Sequence, residues 1–388
     1  MTSQPQLLPI DMDYVQDVLL RMLRTPSPTG RTDQVMQLIG EQLAKIGMPF
    51  ELTRRGVIVA ELPGANTAGA DRTIVVHGDT IGCMVRQLKG NGRLAVVPVG
   101  THSARFVEGA RVTIFVDDLD QRHYTGTILP LLASGHRYGD EVDTQGVGWE
   151  HVEVRVDEDV RDAAGLADLG IQVGDFVALD SYPEITASGY VKARHLDDKA
   201  GVAAALGAFK ALRDHDITPP VNAHLLVTIS EEVGLGATHG IDEQVAELVS
   251  IDVAIVAPGQ SSTEHTVNVA MQDSSGPFDY HLARRLTSLA DEHGIEHRRD
   301  IYGFYRSDSA TALQAGAQTR AALVGFGIDA SHGHERTHLD GIRRTAELIA
   351  LYLQTDLTFP YWDASANGEL HDFPSRSVQP AEEQLPRA

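Results

Sequence analysis

The sequence lacks the features that mark several large classes of protein. It has a single cysteine, Cys83, so no disulfide can form within the chain, and such a count is typical of a reducing cytoplasm. The first ten residues, MTSQPQLLPI, have neither a basic region nor an apolar core, so we expect no secretory signal peptide. No apolar run approaches the roughly 20 residues that a membrane span needs. These absences predict a soluble cytoplasmic protein.

Basic residues are scarce compared with acidic ones. The chain has 32 Lys and Arg against 54 Asp and Glu, which gives a formal net charge of −22. Nucleic acids and anionic membranes bind basic surfaces, so we expect neither as a partner. An acidic chain is compatible with plain solubility and also with an enzyme that binds metal cations.

Several familiar catalytic and nucleotide-binding motifs are also missing. The chain has no G-x-S-x-G elbow, no GxxxxGK[ST] loop and no H-E-x-x-H helix. In GLGATHG, the residues Gly234, Gly236 and Gly240 miss the G-x-G-x-x-G spacing of a dinucleotide loop. Cys83 has no feature of a nucleophile except its position near His77, and we interpret it as a buried thiol.

The chain contains two kinds of sequence pattern, and at 388 residues it is long enough for two folded units. From 86 to 188, short alternating runs such as RLAVVPVG and HYTGTILP are separated by Gly, Asp and Pro, which is typical of a small β-barrel or sandwich. On either side, helical and strand-like segments alternate. We therefore predict a three-layer α/β domain from 1–85 and 189–360, an inserted small β-barrel at 86–188, and a flexible tail at 361–388.

Three segments of the α/β region carry predictions about single elements. RTIVVHGDT, at 72–80, contains a continuous apolar run that is typical of a strand in the centre of a sheet. DEQVAELV, at 242–249, is predicted to be a helix. DVAIVAP, at 252–258, is predicted to be the strand that follows it.

Acidic and histidine side chains cluster where predicted strands end or helices begin, which is where open α/β sheets bind ligands. Each cluster alone has an ordinary explanation, such as a hydrogen-bonded histidine, a helix N-cap or a solvated loop. Four together favour a metal site. The clusters are His77 and Asp79; Asp197 and Asp198; Glu231 and Glu232; and Asp329, His332, His334, Glu335 and His338.

The most informative cluster is the acid pair Glu231 and Glu232. It follows the apolar run AHLLVTIS and precedes glycines, so two like charges lie side by side at the end of a buried strand. A bound cation would neutralise one carboxylate while its neighbour handles a proton. His77 and Asp79 share one face of an extended chain, so a carboxylate can hold one ring nitrogen and leave the other for a metal.

The order of these motifs resembles the M42 family of metallo-aminopeptidases, within the clan of co-catalytic zinc peptidases. HGDTIGCMV is similar to the family's His-x-Asp-x-x-Gly-x-Met-Val, and GIQVGDFVALD is similar to its strand returning from the insertion. HLDDKAG and SEEVGLGA resemble its bridging-aspartate and double-glutamate motifs, and RSDSATALQAG stands where the family has Gly-Thr-Asp-Ala. The similarity covers most of the chain.

The resemblance implies a role for each site residue. His77 would bind one metal ion, Asp197 would bridge two, and Glu232 with His332 would hold the second, with His334 as the alternative histidine. Asp79 would orient His77. Glu231 would be the general base on the metal-bound water.

The resemblance also implies a cofactor and partners. The cofactor would be one or two divalent metal ions per subunit, with Zn²⁺ first and Co²⁺ or Mn²⁺ as alternatives. The substrate would be a small peptide or a peptide-like compound. The inserted barrel would mediate self-assembly, from a dimer up to a dodecamer.

One departure from the family pattern raises a rival interpretation. The family has a metal-binding aspartate after a strand like DVAIVAP, and here Pro258 stands there and cannot ligate through its side chain. We therefore expect a gap in the first metal site unless Gln260, Glu264 or Asp273 fills it. The rival is a non-catalytic binding or assembly protein of the M42 type that has lost a metal ligand.

Two further hypotheses concern the substrate of the protein. APGQSSTE and DASHGHERTH resemble M42-like peptidases associated with synthesis of a dipeptide-amide osmoprotectant, which suggests a divergent branch of the family. A glycosidase interpretation of the carboxylate pairs leaves the histidines unexplained and ranks last.

Overall fold

The computed structural model describes residues 4–67, 69–116 and 122–359. The tail predicted at 361–388 lies outside them. In the described part of the chain the helices are α1 Met12–Leu23, α2 Asp33–Lys45, α3 Gly135–Tyr138, α4 Glu141–Thr144, α5 Ala163–Asp168, α6 Leu196–Asp214, α7 Tyr280–Glu292, α8 Asp308–Gln314 and α9 Leu339–Leu353.

The strands alternate with these helices on both sides of a barrel. Within the described residues they are β1 Phe50–Leu52, β2 Ile58–Leu62, β3 Asp71–His77, β4 Gly82–Leu88, β5 Arg93–Val99, β6 Arg111–Phe115, β7 His123–Pro130, β8 Val152–Val156, β9 Phe176–Leu179, β10 Glu184–Ile185, β11 Tyr190–Ala193, β12 Ala223–Thr228, β13 Val245–Ile255, β14 Val267–Asp273, β15 Gly276–Pro277, β16 His297–Ile301, β17 Arg320–Ile328 and β18 Glu335–His338.

The largest sheet lies between two layers of helices. Among the described residues its order is β1-β2-β12-β3-β13-β17-β14-β15, with β16 paired to β14. Apolar side chains of α1, α2, α6, α7 and α9 form the core on one face, and those of α8 pack on the other. The predicted three-layer α/β fold is confirmed. The strand predicted at RTIVVHGDT is β3, which is buried throughout and lies between β12 and β13.

The segment DEQVAELV was predicted to be a helix, and that prediction is wrong. Its second half begins β13, which pairs in parallel with β3 and β17. The apolar residues Val245, Leu248 and Val249 have helical spacing, but Glu247, which resembles an exposed helical acid, is fully buried. Glu247 accepts a hydrogen bond from the hydroxyl of Tyr352 at 2.5 Å and pairs with Arg72. Tertiary contacts therefore override the local pattern.

The inserted part forms a closed barrel in the order β4-β5-β8-β7-β6-β9, with its own apolar core. Cys83 lies in that core, and burial raises the pKa of its thiol. The barrel strands begin at Gly82 and end at Leu179, while β11 lies between β10 and β18 in a separate small sheet. The domain limits at 86 and 188 stay predictions.

No helix in the described part of the chain is both long enough and apolar enough to cross a membrane.

Candidate metal centre

The sheet topology brings the predicted site residues to one edge. Strands β3, β12, β13 and β17 run parallel, so their carboxyl ends meet at the same side of the sheet. His77 ends β3, Glu231 and Glu232 follow β12, and Asp252 lies near the end of β13. His332 follows β17, and Asp197 opens α6 just after the chain returns from the barrel.

Asp197 lies between two imidazole rings and turns one carboxylate oxygen to each. Its Oδ1 is 3.1 Å from His77 Nε2, and its Oδ2 is 3.3 Å from His332 Nε2. The side chain is 8 % exposed. A carboxylate placed in this way has the geometry of a ligand shared between two cations.

Two groups of potential ligands therefore share Asp197. The first is His77, Asp197 and Asp252, and the second is Asp197, Glu232 and His332. In each group the potential ligand atoms lie within 4.8 Å of one another. His332 Nε2 is also 3.4 Å from Glu232 Oε2. The structure thus brings together all four residues predicted as metal ligands.

The expected gap in the first group is wrong. Pro258 follows β13 and lines the cavity at this edge, but the carboxylate in the first group comes from Asp252, which lies within β13 and is 4 % exposed. The acid was expected after the strand, whereas it lies inside it. The signal that could have found it is an acid inside the apolar run LVSIDVAIV.

The three residues considered as substitutes are held elsewhere. The Gln260 amide donates to the carbonyl of Ile301 at 2.9 Å. Glu264 forms an ion pair with Arg336 at 2.7 Å. Asp273 accepts a hydrogen bond from the backbone N–H of Ser275 at 2.7 Å.

Between the two candidate histidines, the geometry favours His332. His334 is exposed and is in neither group of ligand atoms. His332 Nδ1 donates to the carbonyl of Thr101 at 2.8 Å, which leaves Nε2 directed at Asp197 and Glu232. Because Thr101 lies between two barrel strands, the insertion itself orients a potential ligand.

Asp79 contacts His77 through both its backbone and its carboxylate. His77 Nδ1 donates to the backbone carbonyl of Asp79 at 3.0 Å and lies 3.6 Å from Oδ1 of the same residue. The carboxylate of Asp79 also accepts the backbone N–H groups of Glu231 and Glu232 at 3.1 and 3.3 Å and the hydroxyl of Thr29 at 2.6 Å. These contacts are compatible with the predicted orientation of His77 by Asp79, and they also hold the double-glutamate turn in place.

Glu335 belonged to the predicted histidine cluster, but no role of its own was predicted for it. Its carboxylate, which is 1 % exposed, accepts the backbone N–H of His332 at 2.8 Å and those of Leu196 and Asp197 at 2.7 and 3.3 Å. It joins the two loops that carry the shared ligand and the second imidazole.

Close packing behind Asp197 also requires a glycine. A Cβ at Gly201 would lie 1.9 Å from Oδ1 of Asp198, whose Oδ2 accepts the backbone N–H of His77 at 3.3 Å.

The acids of the site are buried together, and their titration reflects it. Burial and the charge of Asp197 raise the pKa of Asp252 to about 8 and that of Glu232 also to about 8. Burial and the charges of Asp252 and Asp308 raise the pKa of Glu231 well above its usual value. Ionising these carboxylates together would bury like charges side by side, and a bound cation would relieve that cost.

A cavity of about 1100 Å³ opens over these acids. Its lining includes His102 and Phe106 from the segment between β5 and β6, and Phe304 and Arg306 from the segment between β16 and α8. Glu231 lies at its floor, with Oε2 at 3.9 Å from His77 Nε2. The space is large enough for a short peptide.

Comparison with known proteins identifies the family. Residues 56–348 match the family model described as M42 glutamyl aminopeptidase. A Bacillus subtilis (strain 168) protein named "Putative aminopeptidase YhfE" is 36 % identical over 341 residues, which cover 88 % of this chain and 97 % of that protein. The chain belongs to the M42 family. The resemblance drawn from the motifs is thereby confirmed.

Solved structures agree with the fold of this M42 chain. An aminopeptidase from the archaeon Desulfurococcus kamchatkensis superposes with a TM-score of 0.81 at 21 % identity, covering 92 % of this chain and 99 % of the other. The TET1 peptidase of Pyrococcus horikoshii superposes with a TM-score of 0.76 at 21 % identity, covering 87 % and 99 %.

The donor set of this M42 chain fits divalent cations. Each group offers one imidazole nitrogen and two carboxylates, a mixture that suits Zn²⁺, Co²⁺ or Mn²⁺. The ring nitrogens that face away from the centre donate to backbone carbonyls, as those of metal-binding histidines do.

Proposed function

We propose that this protein is a metal-dependent aminopeptidase that hydrolyses the amide bond of small peptides or peptide-like compounds. The observation that carries the proposal is the position of Asp197, which turns one oxygen to each of two imidazoles within two overlapping sets of ligand atoms. Membership of the M42 family supports the same reaction.

His77, Asp197 and Asp252 would hold one ion, and Asp197, Glu232 and His332 would hold the other. We expect Zn²⁺, with Co²⁺ or Mn²⁺ as alternatives. When bound, such ions activate a water molecule and polarise the scissile carbonyl.

The protein's own acids would move the proton. Glu231 lies at the cavity floor beside the first group, so its carboxylate can accept a proton from the attacking water and pass it to the leaving amine. Asp79 would be a positioning residue, because it binds the backbone N–H of Glu231 and of Glu232. Glu335 would position Asp197 and His332 in the same way.

The rival interpretation of a non-catalytic binding protein depended on a missing carboxylate. Asp252 provides a carboxylate at that place, so the reason for the rival falls away. The narrower similarity to osmoprotectant-associated peptidases and the cytoplasmic location stay predictions.

We also infer that the protein is a homo-oligomer. The P. horikoshii structure is described as assembling into a tetrahedron or a large octahedral shell, and this chain shares its fold over most of its length. The barrel is the natural part of the chain to mediate such contacts, since the helices and the largest sheet form a separate core.

The test is hydrolysis of a peptide panel that varies the first residue, each peptide with a free or an acetylated amino terminus. We expect the metal-depleted protein to be inactive and to recover with Zn²⁺, Co²⁺ or Mn²⁺ on free amino termini only. Glu231→Gln should lower the rate about 10²- to 10⁴-fold without changing metal content. The control is Glu243→Gln, which changes an exposed acid in the turn before β13.

Two results would contradict the proposal. A Glu231→Gln variant that retains the wild-type rate would exclude the general-base role. No turnover of any panel peptide with any of the three ions would support a binding protein instead.

A further inference from the structure

A second cluster of metal-binding side chains lies away from the cavity, where β18 meets α9. It consists of His265, His338 and Asp340, which we call the α9 site. Asp340 Oδ2 is 3.8 Å from His265 Nδ1 and 3.5 Å from His338 Nδ1, and the two rings are 4.1 Å apart. One potential ligand atom from each residue lies within 4.8 Å of the others. We propose that the α9 site binds a late first-row divalent metal ion, independently of the catalytic pair.

The outer atoms of all three side chains are already held in place. The Nε2–H of His338 donates to the carbonyl of Ser188 at 2.8 Å, so its Nδ1 carries the lone pair. His265 Nε2 is 3.4 Å from the hydroxyl of Tyr190. Asp340 Oδ1 accepts a hydrogen bond from Arg343 at 3.0 Å. Partners of this kind are what orients the ligands of metal sites in proteins.

The remaining atoms are Nδ1 of each histidine, and both lie within 4.0 Å of Oδ2 of Asp340. Nδ1 of His338 also accepts the backbone N–H of Asp340 at 3.0 Å, a helix cap that coordination would replace. Two imidazoles and one carboxylate suit Zn²⁺, Ni²⁺ or Cu²⁺ better than Mg²⁺ or Ca²⁺, which prefer oxygen.

Three arginines lie near the α9 site, and each has a carboxylate of its own. Arg336 pairs with Glu264 at 2.7 Å, Arg343 with Glu347 at 2.5 Å, and Arg344 with Glu296 at 3.2 Å. These carboxylates largely compensate the charge of the three guanidinium groups. The arginines therefore repel a bound cation less than they would if they were unpaired.

The α9 site is open to water on one side. The side chains of His265 and Asp340 are 44 % and 39 % exposed, whereas that of His338 is 12 % exposed. An ion can therefore enter without opening the fold, and water can complete its coordination.

An ion in the α9 site would link the segment before β14 to the junction of β18 with α9. His265 precedes β14, while His338 ends β18 and Asp340 opens α9. Glu335, which binds the backbone of His332 and Asp197, is at the other end of β18. We expect the ion to stabilise this strand and its junction with α9, without taking part in hydrolysis.

The test is the Zn²⁺ content of the full chain after equilibrium dialysis at a free concentration that saturates the catalytic pair. His265→Ala leaves the α9 cap untouched, and Asp340→Asn keeps an oxygen for Arg343. We expect each to bind one ion per chain fewer than the wild type, with an unchanged peptidase rate. His136→Ala, which removes an exposed histidine outside every ligand group, is the matched control.

The catalytic ions provide an internal reference. Asp197→Asn should lose ions from the catalytic pair and keep the ion of the α9 site, and combining it with His265→Ala should give additive losses. Zn²⁺ content and affinity equal to those of His136→Ala in both α9-site variants would overturn the proposal. That outcome would leave the proposed peptidase function untouched.

Discussion

Two of the buried groups of acidic side chains in the described part of the chain are balanced differently. Beneath α9, Glu247 and Arg72 are both fully buried, with 3.6 Å between Oε2 and Nη2. Glu247 also accepts the hydroxyl of Tyr352 at 2.5 Å and the backbone N–H of Thr358 at 2.6 Å. This acid has a cation and hydrogen bonds supplied by its own chain.

The carboxyl edge of the same sheet is different. Asp197, Glu231, Glu232 and Asp252 are grouped there, and among the described residues no Lys or Arg forms an ion pair with any of them. Within the same described residues, the basic side chains within 4.0 Å of Asp197, Glu231 or Glu232 are the imidazoles of His77 and His332. Burying a charge without a partner raises the free energy of the folded state. The difference in pairing therefore indicates that Glu247 stabilises the fold, whereas the acids at the carboxyl edge are arranged to bind cations from solution.

The largest expected effect comes from breaking the balanced pair. Glu247→Gln leaves the guanidinium of Arg72 buried without a carboxylate, so we expect the free energy of unfolding to fall by about 3–5 kcal/mol. Metal content should not change. Chemical denaturation measures the effect against Glu292→Gln, an exposed acid at the end of α7. Equal stability of the two variants would show that Glu247 is not held as described.

The next effect tests the acid that the sequence did not reveal. Asp252→Asn removes a carboxylate from the first ligand group, so we expect one ion per chain fewer and a rate of hydrolysis lower by about 100-fold. Metal analysis and steady-state kinetics provide the measurement. Pro258→Ala, at the position where the sequence suggested a lost ligand, should leave both unchanged. The reverse pattern would restore the missing-ligand interpretation.

A smaller effect is expected behind the ligands. Glu335→Gln weakens the acceptor for the backbone N–H groups of His332 and Asp197, so metal affinity should fall on the order of ten-fold. Competition with a chromogenic chelator measures the affinity. Glu243→Gln, which removes an exposed acid in the turn before β13, should bind metal like the wild type. If it weakens binding equally, Glu335 has no special role.

A further effect is a pH dependence of the metal-free protein. Burial raises the folded-state pKa of Asp252 and of Glu232 to about 8, so these groups bind more protons folded than unfolded. Stability should therefore fall as pH rises from about 5 to 8, where only the unfolded state releases these protons. Bound metal should remove the trend. The melting temperature at several pH values, with and without Zn²⁺, would show it, and a rise with pH in the metal-free protein would contradict it.

Much of the fold could be predicted because its signals are local. The apolar run of β3 and the alternating barrel strands have patterns that burial on two faces or on one face produces. The helix predicted at DEQVAELV failed because the state of Glu247 depends on Arg72, which is distant in sequence. No local pattern contains that contact.

The same distinction applies to the site. His77, Asp197, Glu232 and His332 lie at the ends of elements, where polar residues stand out, and the structure groups all four. Asp252 lies within a strand, and Asp79 and Glu335 act through backbone groups of other loops. Those contacts depend on which strands lie next to each other, and a single sequence does not specify that order.

The most direct test of the central claim is anomalous diffraction from crystals soaked with Zn²⁺, with data collected on both sides of the zinc absorption edge. We predict two peaks that share the carboxylate of Asp197, one also bound by His77 and Asp252 and the other by Glu232 and His332. The absence of any peak within coordinating distance of Asp197, in crystals that bind Zn²⁺ elsewhere, would contradict the account.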